Sequence, residues 1–177
     1  MVPEFSRPQR VDALPSRGKQ VEISASEAER AALAERFGIL AVDSLSASLR
    51  LTPVGRGPLV RLRGTLVAEV AQACVVTLDP VPGHVEASFD MTFGPAAAEG
   101  DEDGEIDLAF DSEDPPDPIV DGAIDLGEAV AEQLSLALEP FPRAPGAEFA
   151  PPDEPDMSSE EKPNPFAALA ALRKNEG

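Results

Sequence analysis

Apolar and polar residues alternate along much of the chain between residues 21 and 110. A period of two is typical of antiparallel strands that bury one face and expose the other. The alternating segments are residues 21–24, 44–52, 61–70, 85–93 and 106–110. The same pattern extends through Cys74, Val76 and Leu78, and turn-forming residues at 55–58 and 80–83 separate the strands. The pattern therefore predicts an antiparallel sheet of four to six strands.

Two helices are predicted, one near each end of this strand-rich region. The first has its N-cap at Ser26 and ends at Gly38, and the second has its N-cap at Asp125 and stops before Pro140. A glutamate follows three residues after each N-cap, which is the spacing of a capping box. The apolar stripe of the second helix consists of Leu126, Val130, Leu134 and Leu138.

These elements predict an α+β fold, in which an antiparallel sheet that can curl into a small barrel is flanked by the two helices. Eight prolines fall within residues 140–165 and alternate with small and acidic residues, a composition that favours a flexible linker. The predicted organisation is an N-terminal arm at 1–18, a folded domain at 19–141, a linker at 142–162 and a short C-terminal helix at 163–177.

The C-terminal helix is too short to be stable alone in water. Asn164 and Pro165 have the residue types of an N-cap and a first helical position. Phe166, Leu169 and Leu172 fall on one face of the helix. We therefore predict that this helix docks, either onto a partner or onto the protein's own sheet.

Charge is divided unevenly along the 177 residues, which carry 14 Lys and Arg, 33 Asp and Glu, and a net charge of −19. Residues 1–63 hold ten basic and seven acidic side chains, whereas the remainder holds four basic and 26 acidic ones. This division predicts a molecule with two faces of opposite sign. The overall acidity counts against binding to DNA or to an anionic membrane, and no signal peptide or membrane-spanning run is visible. A cytoplasmic protein is expected.

The sequence shows no constellation of catalytic or metal-binding residues. Cys74 is the only cysteine and lies among apolar positions, so a buried structural thiol is favoured over a nucleophile. His84 is the only histidine and is predicted to be a solvated turn residue. Residues 99–107 approach the spacing of a calcium loop, but Phe110 occupies the place of the bidentate glutamate. We therefore expect no catalytic residue, no metal site and no cofactor.

Two charged groups are the candidate binding surfaces. Four arginines form a basic group that can contact RNA phosphate, and a hairpin can bring together the three that lie on strands. The alternative is an ordinary charged strand face. The four arginines are Arg50, Arg56, Arg61 and Arg63. Residues 99–117 contain ten acids and no base, which suits a basic protein partner, the alternative being plain solubility. The candidate contacts there are Asp101, Glu102, Asp103, Glu105, Asp107, Asp111, Glu113 and Asp114.

Five stretches of the chain together resemble the YceD family, most closely its alphaproteobacterial branch. They are residues 5–8 (FSRP), 73–81 (ACVVTLDPV), 124–134 (IDLGEAVAEQL), 140–143 (PFPR) and 164–169 (NPFAAL). The resemblance implies a role in the accumulation of large-subunit ribosomal RNA, and so in ribosome assembly. Many relatives have a second cysteine where this chain has Thr77, so the resemblance implies no zinc chemistry here.

The leading hypothesis is therefore a non-enzymatic ribosome-biogenesis factor. It would bind a ribosomal or ribosome-assembly protein through its acidic stretch and pre-ribosomal large-subunit RNA through its arginines. An RNA-processing enzyme is the second hypothesis, and the missing acid–base and metal constellations argue against it. The third hypothesis is an acidic escort for one basic ribosomal protein.

Overall fold

The computed structural model describes residues 3–55, 57–95 and 115–149. Its elements, in chain order, are β1 (Pro8–Arg10), β2 (Lys19–Ser24), α1 (Glu27–Phe37), β3 (Ala41–Pro53), β4 (Val60–Ala73), β5 (Pro80–Gly94), β6 (Asp117–Pro118), β7 (Ala123–Asp125) and α2 (Leu126–Ala137). All of them belong to the first of two units of the chain, which ends at Ala147. The predicted α+β class with two helices is confirmed.

The main sheet has five strands in the order β2-β3-β4-β5-β6. Strands β2 to β5 are antiparallel neighbours in chain order, and the short β6 pairs in parallel with the end of β5, where Asp117 lies opposite Phe93. Strand β1 pairs with β7 in a separate two-stranded sheet. Within the described residues β2 and β6 do not pair, so the main sheet is open and does not close into a barrel.

The core lies against one face of this sheet, as the alternation predicts. The buried residues of β3 and β4 are Val42, Leu45, Ala47, Leu49, Leu51, Val60, Leu62, Leu66, Ala68 and Val70. Helix α1 packs against β3 through the buried Leu33, and α2 contacts β4, β5 and β1. The stripe residues Leu126, Val130 and Leu134 of α2 are also buried. Each fully buried leucine contributes about 1.5–3 kcal/mol, so this face supplies most of the folding free energy.

Both helices begin at the predicted N-caps. Ser26 and Glu29 form the complete capping box of α1, which ends at Gly38 with a positive φ of 66°. Asp125 caps α2 by accepting from the backbone N–H groups at positions 127 and 128. The carboxylate of Glu128 binds the guanidinium of Arg36 at 2.7 Å, so this glutamate links the two helices. None of the described helices is long and apolar enough to span a membrane.

The predicted turn at 80–83 is wrong, because β5 already begins at Pro80. The connection between β4 and β5 instead spans Cys74 to Asp79, where the Cys74 N–H donates to the Asp79 carbonyl at 2.8 Å and Leu78 has a φ of 65°. Prolines are tolerated on a strand with an unpaired edge, since the missing N–H then breaks no ladder bond. Beyond its β4 partner, β5 pairs among the described residues only at its C-terminal end, with β6.

Several predicted features lie outside the described residues. They are the strand at 106–110, residues 150–162 of the predicted linker, the C-terminal helix, and the candidate residues Arg56, Asp101, Glu102, Asp103, Glu105, Asp107, Asp111, Glu113, Asp114, Phe166, Leu169 and Leu172.

Candidate nucleic-acid interface

The sheet face opposite the core is largely polar on all four antiparallel strands, with Val67 on β4 as an exposed apolar exception. We call it the outer face, and define it by the outward side chains of Gln20, Glu22, Ser46, Ser48, Arg50, Arg61, Arg63, Thr65, Glu86, Ser88 and Asp90. All of these are exposed except Thr65, which is half-buried. The set contains six charged side chains, four hydroxyls and no aromatic ring. Its chemistry is therefore that of a hydrogen-bonding surface for a polar ligand.

The register brings three of the predicted arginines together on this face. Arg50 lies directly opposite Arg63 across β3 and β4, and Arg61 is the next outward residue along β4. Strands β3 and β4 thus form the hairpin that the sequence analysis predicts for these arginines. Arg56 belongs to the β3–β4 connection and is not described.

Asp90, which the sequence analysis did not single out, lies opposite Arg63 on β5. Its carboxylate accepts from Arg61 Nε at 2.7 Å, Arg61 Nη2 at 2.6 Å and Arg63 Nε at 3.0 Å. Hydrogen bonds from Arg61, then those from Arg63, lower the pKa of Asp90 to about 2, so it is ionised throughout the physiological range. Arg50 forms no ion pair with any described residue, which leaves its guanidinium available to a ligand.

An open depression of about 480 Å³ lies between two rows of outward side chains. One row is Arg50, Arg63 and Asp90, and the other is Ser48, Thr65 and Ser88, with Leu49, Gly64 and Phe89 between them. A Cβ at Gly64 would lie 2.4 Å from Phe89 Cζ, so glycine lets this aromatic ring pack across β4. Guanidinium groups beside hydroxyls are the donors that phosphate oxygens accept from.

The predicted separation of charge into two faces is wrong for the described residues. Arg36 binds both Glu4 and Glu128, at 3.1 and 2.7 Å. Arg10 binds Asp12 at 2.8 Å. Basic and acidic side chains are therefore interspersed, and the fold brings Asp90 and Glu128 from the acidic remainder to arginines of the first 63 residues. Arg50, beside the depression on the outer face, is one of several arginines that form no ion pair with a described residue.

His84 differs from its prediction as a turn residue. It is exposed, as expected, but it lies within β5 and its Nδ1 is 2.6 Å from Glu69 Oε1. Glu69 and His84 lie opposite each other on β4 and β5, several residues along β4 from Arg61 and Arg63. The described residues hold no group of three or more His, Cys, Asp or Glu that could bind a metal ion.

Two of the family-like stretches meet at the start of α2. Phe5 is fully buried, and Ser6 Oγ donates to Asp125 while the Arg7 backbone N–H donates to the same carboxylate at 2.7 Å. The Arg7 guanidinium binds Glu29 through two bonds of 2.6 and 3.0 Å, and these lower the pKa of Glu29 to about 2. Residues 5–7 thereby join the N-termini of both helices.

Two further stretches meet at Cys74, which is fully buried as predicted. Three backbone N–H groups point at its sulfur, from Val76, Thr77 and Ala144 at 3.3–3.4 Å. The bond from Ala144, followed by those from Thr77 and Val76, lowers the pKa of the Cys74 thiol to about 6. The thiol therefore ties the β4–β5 connection to the segment after α2, where the Val75 N–H also donates to the Pro142 carbonyl.

The described residues thus form an α+β domain whose candidate chemistry is the binding of an anionic ligand by arginines and hydroxyls. Residues 62–173 match the family model described as large ribosomal RNA subunit accumulation protein YceD. The match covers more than half of the chain, and the protein belongs to the YceD family. No curated protein and no solved structure matches the chain. The family's description links this protein to the accumulation of large-subunit ribosomal RNA.

Proposed function

We propose that this protein is a non-enzymatic ribosome-biogenesis factor that supports the accumulation of large-subunit ribosomal RNA by contacting RNA phosphates on its outer face. The observation that carries the proposal is the row of Arg50 and Arg63 beside Ser48, Thr65 and Ser88 around one open depression. The family description supplies the class of RNA.

The chemistry of the outer face favours contacts to the RNA backbone over recognition of bases. Bases of single-stranded RNA are held by aromatic stacking, and no described aromatic side chain faces outward beside the arginines. The outward ring on β5, His84, is bound to Glu69. Arginine and hydroxyl contacts to phosphate position an RNA without specifying its sequence. We therefore expect specificity to come from RNA shape or from a protein partner.

Asp90 lowers the affinity of the outer face for RNA, because its carboxylate is hydrogen-bonded to the guanidinium groups of Arg61 and Arg63 when no RNA is bound. A phosphate that approaches Arg61 and Arg63 must compete with this carboxylate. A moderate, salt-sensitive affinity suits a factor that must leave the ribosome after assembly.

The protein partner of the proposed factor is a ribosomal or ribosome-assembly protein. The acidic stretch that would attract it lies almost wholly outside the described residues, and so does the docking helix with Phe166, Leu169 and Leu172. The alternatives remain an RNA-processing enzyme and an acidic escort for a basic ribosomal protein. Cleavage of precursor RNA by the purified protein would favour the first, and a one-to-one complex that dissociates in moderate salt would favour the second.

The proposal is tested in cells depleted of the protein. The combined variant Arg50→Gln, Arg61→Gln and Arg63→Gln should fail to restore the ratio of large- to small-subunit ribosomal RNA, whereas the wild type and Arg10→Gln should restore it. Arg10 is a suitable control because it is an exposed arginine on β1, away from the outer face.

The same variants should be compared in binding to a labelled single-stranded RNA. Each lost phosphate contact lowers the slope of log affinity against log salt by about 0.7. Full restoration of the RNA ratio by the combined variant, with RNA binding equal to the wild type, would show that the outer face is not the RNA-binding surface.

A further inference from the structure

A groove of about 450 Å³ opens between α2, the end of β5 and the connection from β6 to β7. Its wall contains the apolar side chains of Met91, Phe93, Ile124 and Ala129. Val120 stands at its mouth with 64% of its surface exposed, although it is a large apolar residue. The groove thus offers an apolar pocket of side-chain size on the surface of the folded unit.

The charged residues that line the groove are all acidic. They are Asp117, Asp121, Asp125, Glu128 and Glu132. Two of them are already engaged, since Asp125 binds Ser6 and Arg7 and Glu128 binds Arg36. The other three form no ion pair with a described residue, so their carboxylates are available to a ligand. An RNA phosphate would be repelled here, whereas a cation would be attracted.

The mouth of the groove is built on a tight turn. Asp121 and Gly122 both have positive φ angles, of 51° and 69°, and the Ala123 N–H donates to the Val120 carbonyl at 2.9 Å. Val11, the residue after β1, holds this turn from the other side, because its N–H donates to the Gly122 carbonyl at 3.0 Å. Val120 and Asp121 are therefore held in place before any ligand arrives, which lowers the entropy cost of binding.

We propose that this groove binds a basic peptide segment of a partner protein that carries one large apolar side chain. The apolar side chain packs against Met91 and Val120, and flanking Lys or Arg residues of the partner pair with Asp117, Asp121 and Glu132. Every charged residue that lines the groove is acidic, so charge complementarity favours a basic ligand. The inference goes beyond the proposed function, because it requires neither RNA nor the outer face.

The test uses the full-length protein and fluorescently labelled peptides. The probe is a short peptide of alternating Lys and Gly with one central Leu, and it is compared with versions that have Ser in place of Leu or Glu in place of Lys. We expect the Lys and Leu peptide to bind, the Ser version to bind at least about fivefold more weakly, and the Glu version not to bind.

Two sets of variants locate the binding. The combined substitution Asp117→Asn, Asp121→Asn and Glu132→Gln should weaken the peptide at least about tenfold. The matched control, Glu27→Gln, Glu35→Gln and Asp43→Asn, removes the same charge from exposed positions outside the groove and the outer face and should have less than about a twofold effect. A second groove variant, Val120→Ser, removes the apolar contact and should weaken only the peptide with Leu.

The proposal is overturned if the control variant loses as much affinity as the groove variant, or if the Leu and Ser peptides bind equally. RNA binding by the groove variant separates this inference from the proposed function. If the groove variant loses peptide binding but keeps its affinity for RNA, the result supports the groove as a separate peptide site. If the groove variant keeps peptide binding but loses affinity for RNA, the groove assignment is overturned.

Discussion

A Cβ atom at Gly127 would lie 2.3 Å from the carbonyl oxygen of Phe5, so the backbone of the N-terminal segment passes directly over the first turn of α2. We expect Gly127→Ala to destabilise the protein by about 1–3 kcal/mol, because the clash is with rigid backbone. In an open helix the same change would stabilise by up to about 1 kcal/mol. The chain has no Trp or Tyr, so urea unfolding should be followed by circular dichroism.

Gly57→Ala is the control for this variant, since a Cβ there meets no atom within 4 Å. It should change the free energy of unfolding by less than about 0.5 kcal/mol. Equal stability of the two variants would contradict the close approach of Phe5 to α2.

Asp125 joins the N-terminal segment to α2 through one carboxylate, which accepts from Ser6, from the Arg7 backbone and from the N–H groups of the helix. Asp125→Ala should cost about 2–4 kcal/mol, since it removes an N-cap and leaves part-buried donors without an acceptor. Asp125→Asn keeps an acceptor oxygen, so it should lower the free energy of unfolding by less than half as much as Asp125→Ala. Thermal unfolding of both variants measures the difference, and identical losses would mean that the hydrogen bonds do not set the stability.

Cys74 should make the stability depend on pH in a defined direction. Its pKa is about 6 in the folded protein and about 8.5 in an unfolded chain, so the folded state favours the thiolate. This contribution is complete above the unfolded pKa and is lost as the pH falls through about 6. The loss of stability in Cys74→Ser should therefore be larger near about pH 8.5 than near about pH 5.5. Parallel curves for the wild type and the variant would show that the sulfur is not ionised in the fold.

Asp90→Asn should strengthen RNA binding. The variant keeps the shape of the side chain but removes the charge that holds Arg61 and Arg63. We expect a gain in RNA affinity of about threefold to tenfold at low salt and a steeper salt dependence. The cost in stability should stay below about 1 kcal/mol, since these ion pairs are exposed. Weaker binding in filter or anisotropy assays would indicate that Asp90 itself contacts the RNA.

The local signals in the sequence predicted the elements of the fold well. Ser26 and Asp125 cap the two helices, and Gly38 ends the first, because these interactions involve residues only a few positions apart. The alternation in β3 and β4 identified the buried face correctly, since one buried side of a sheet imposes a period of two. The turn at 80–83 was predicted wrongly because Pro80 and Gly83 have turn-forming types, and only the unpaired edge of β5 makes them acceptable in a strand.

The sequence by itself determined the helix caps, the strand periodicity, the buried character of Cys74 and membership in the YceD family, because each rests on short-range patterns. Only the tertiary structure decided which charges meet. Asp90 lies 27 residues from Arg63 and Glu128 lies 92 from Arg36, and strand register and helix packing set both pairs. Such contacts depend on how the whole chain folds to its state of lowest free energy, and no local sequence pattern encodes them. For that reason the pairing of Asp90 with the outer-face arginines and the acidic groove became visible only in the fold.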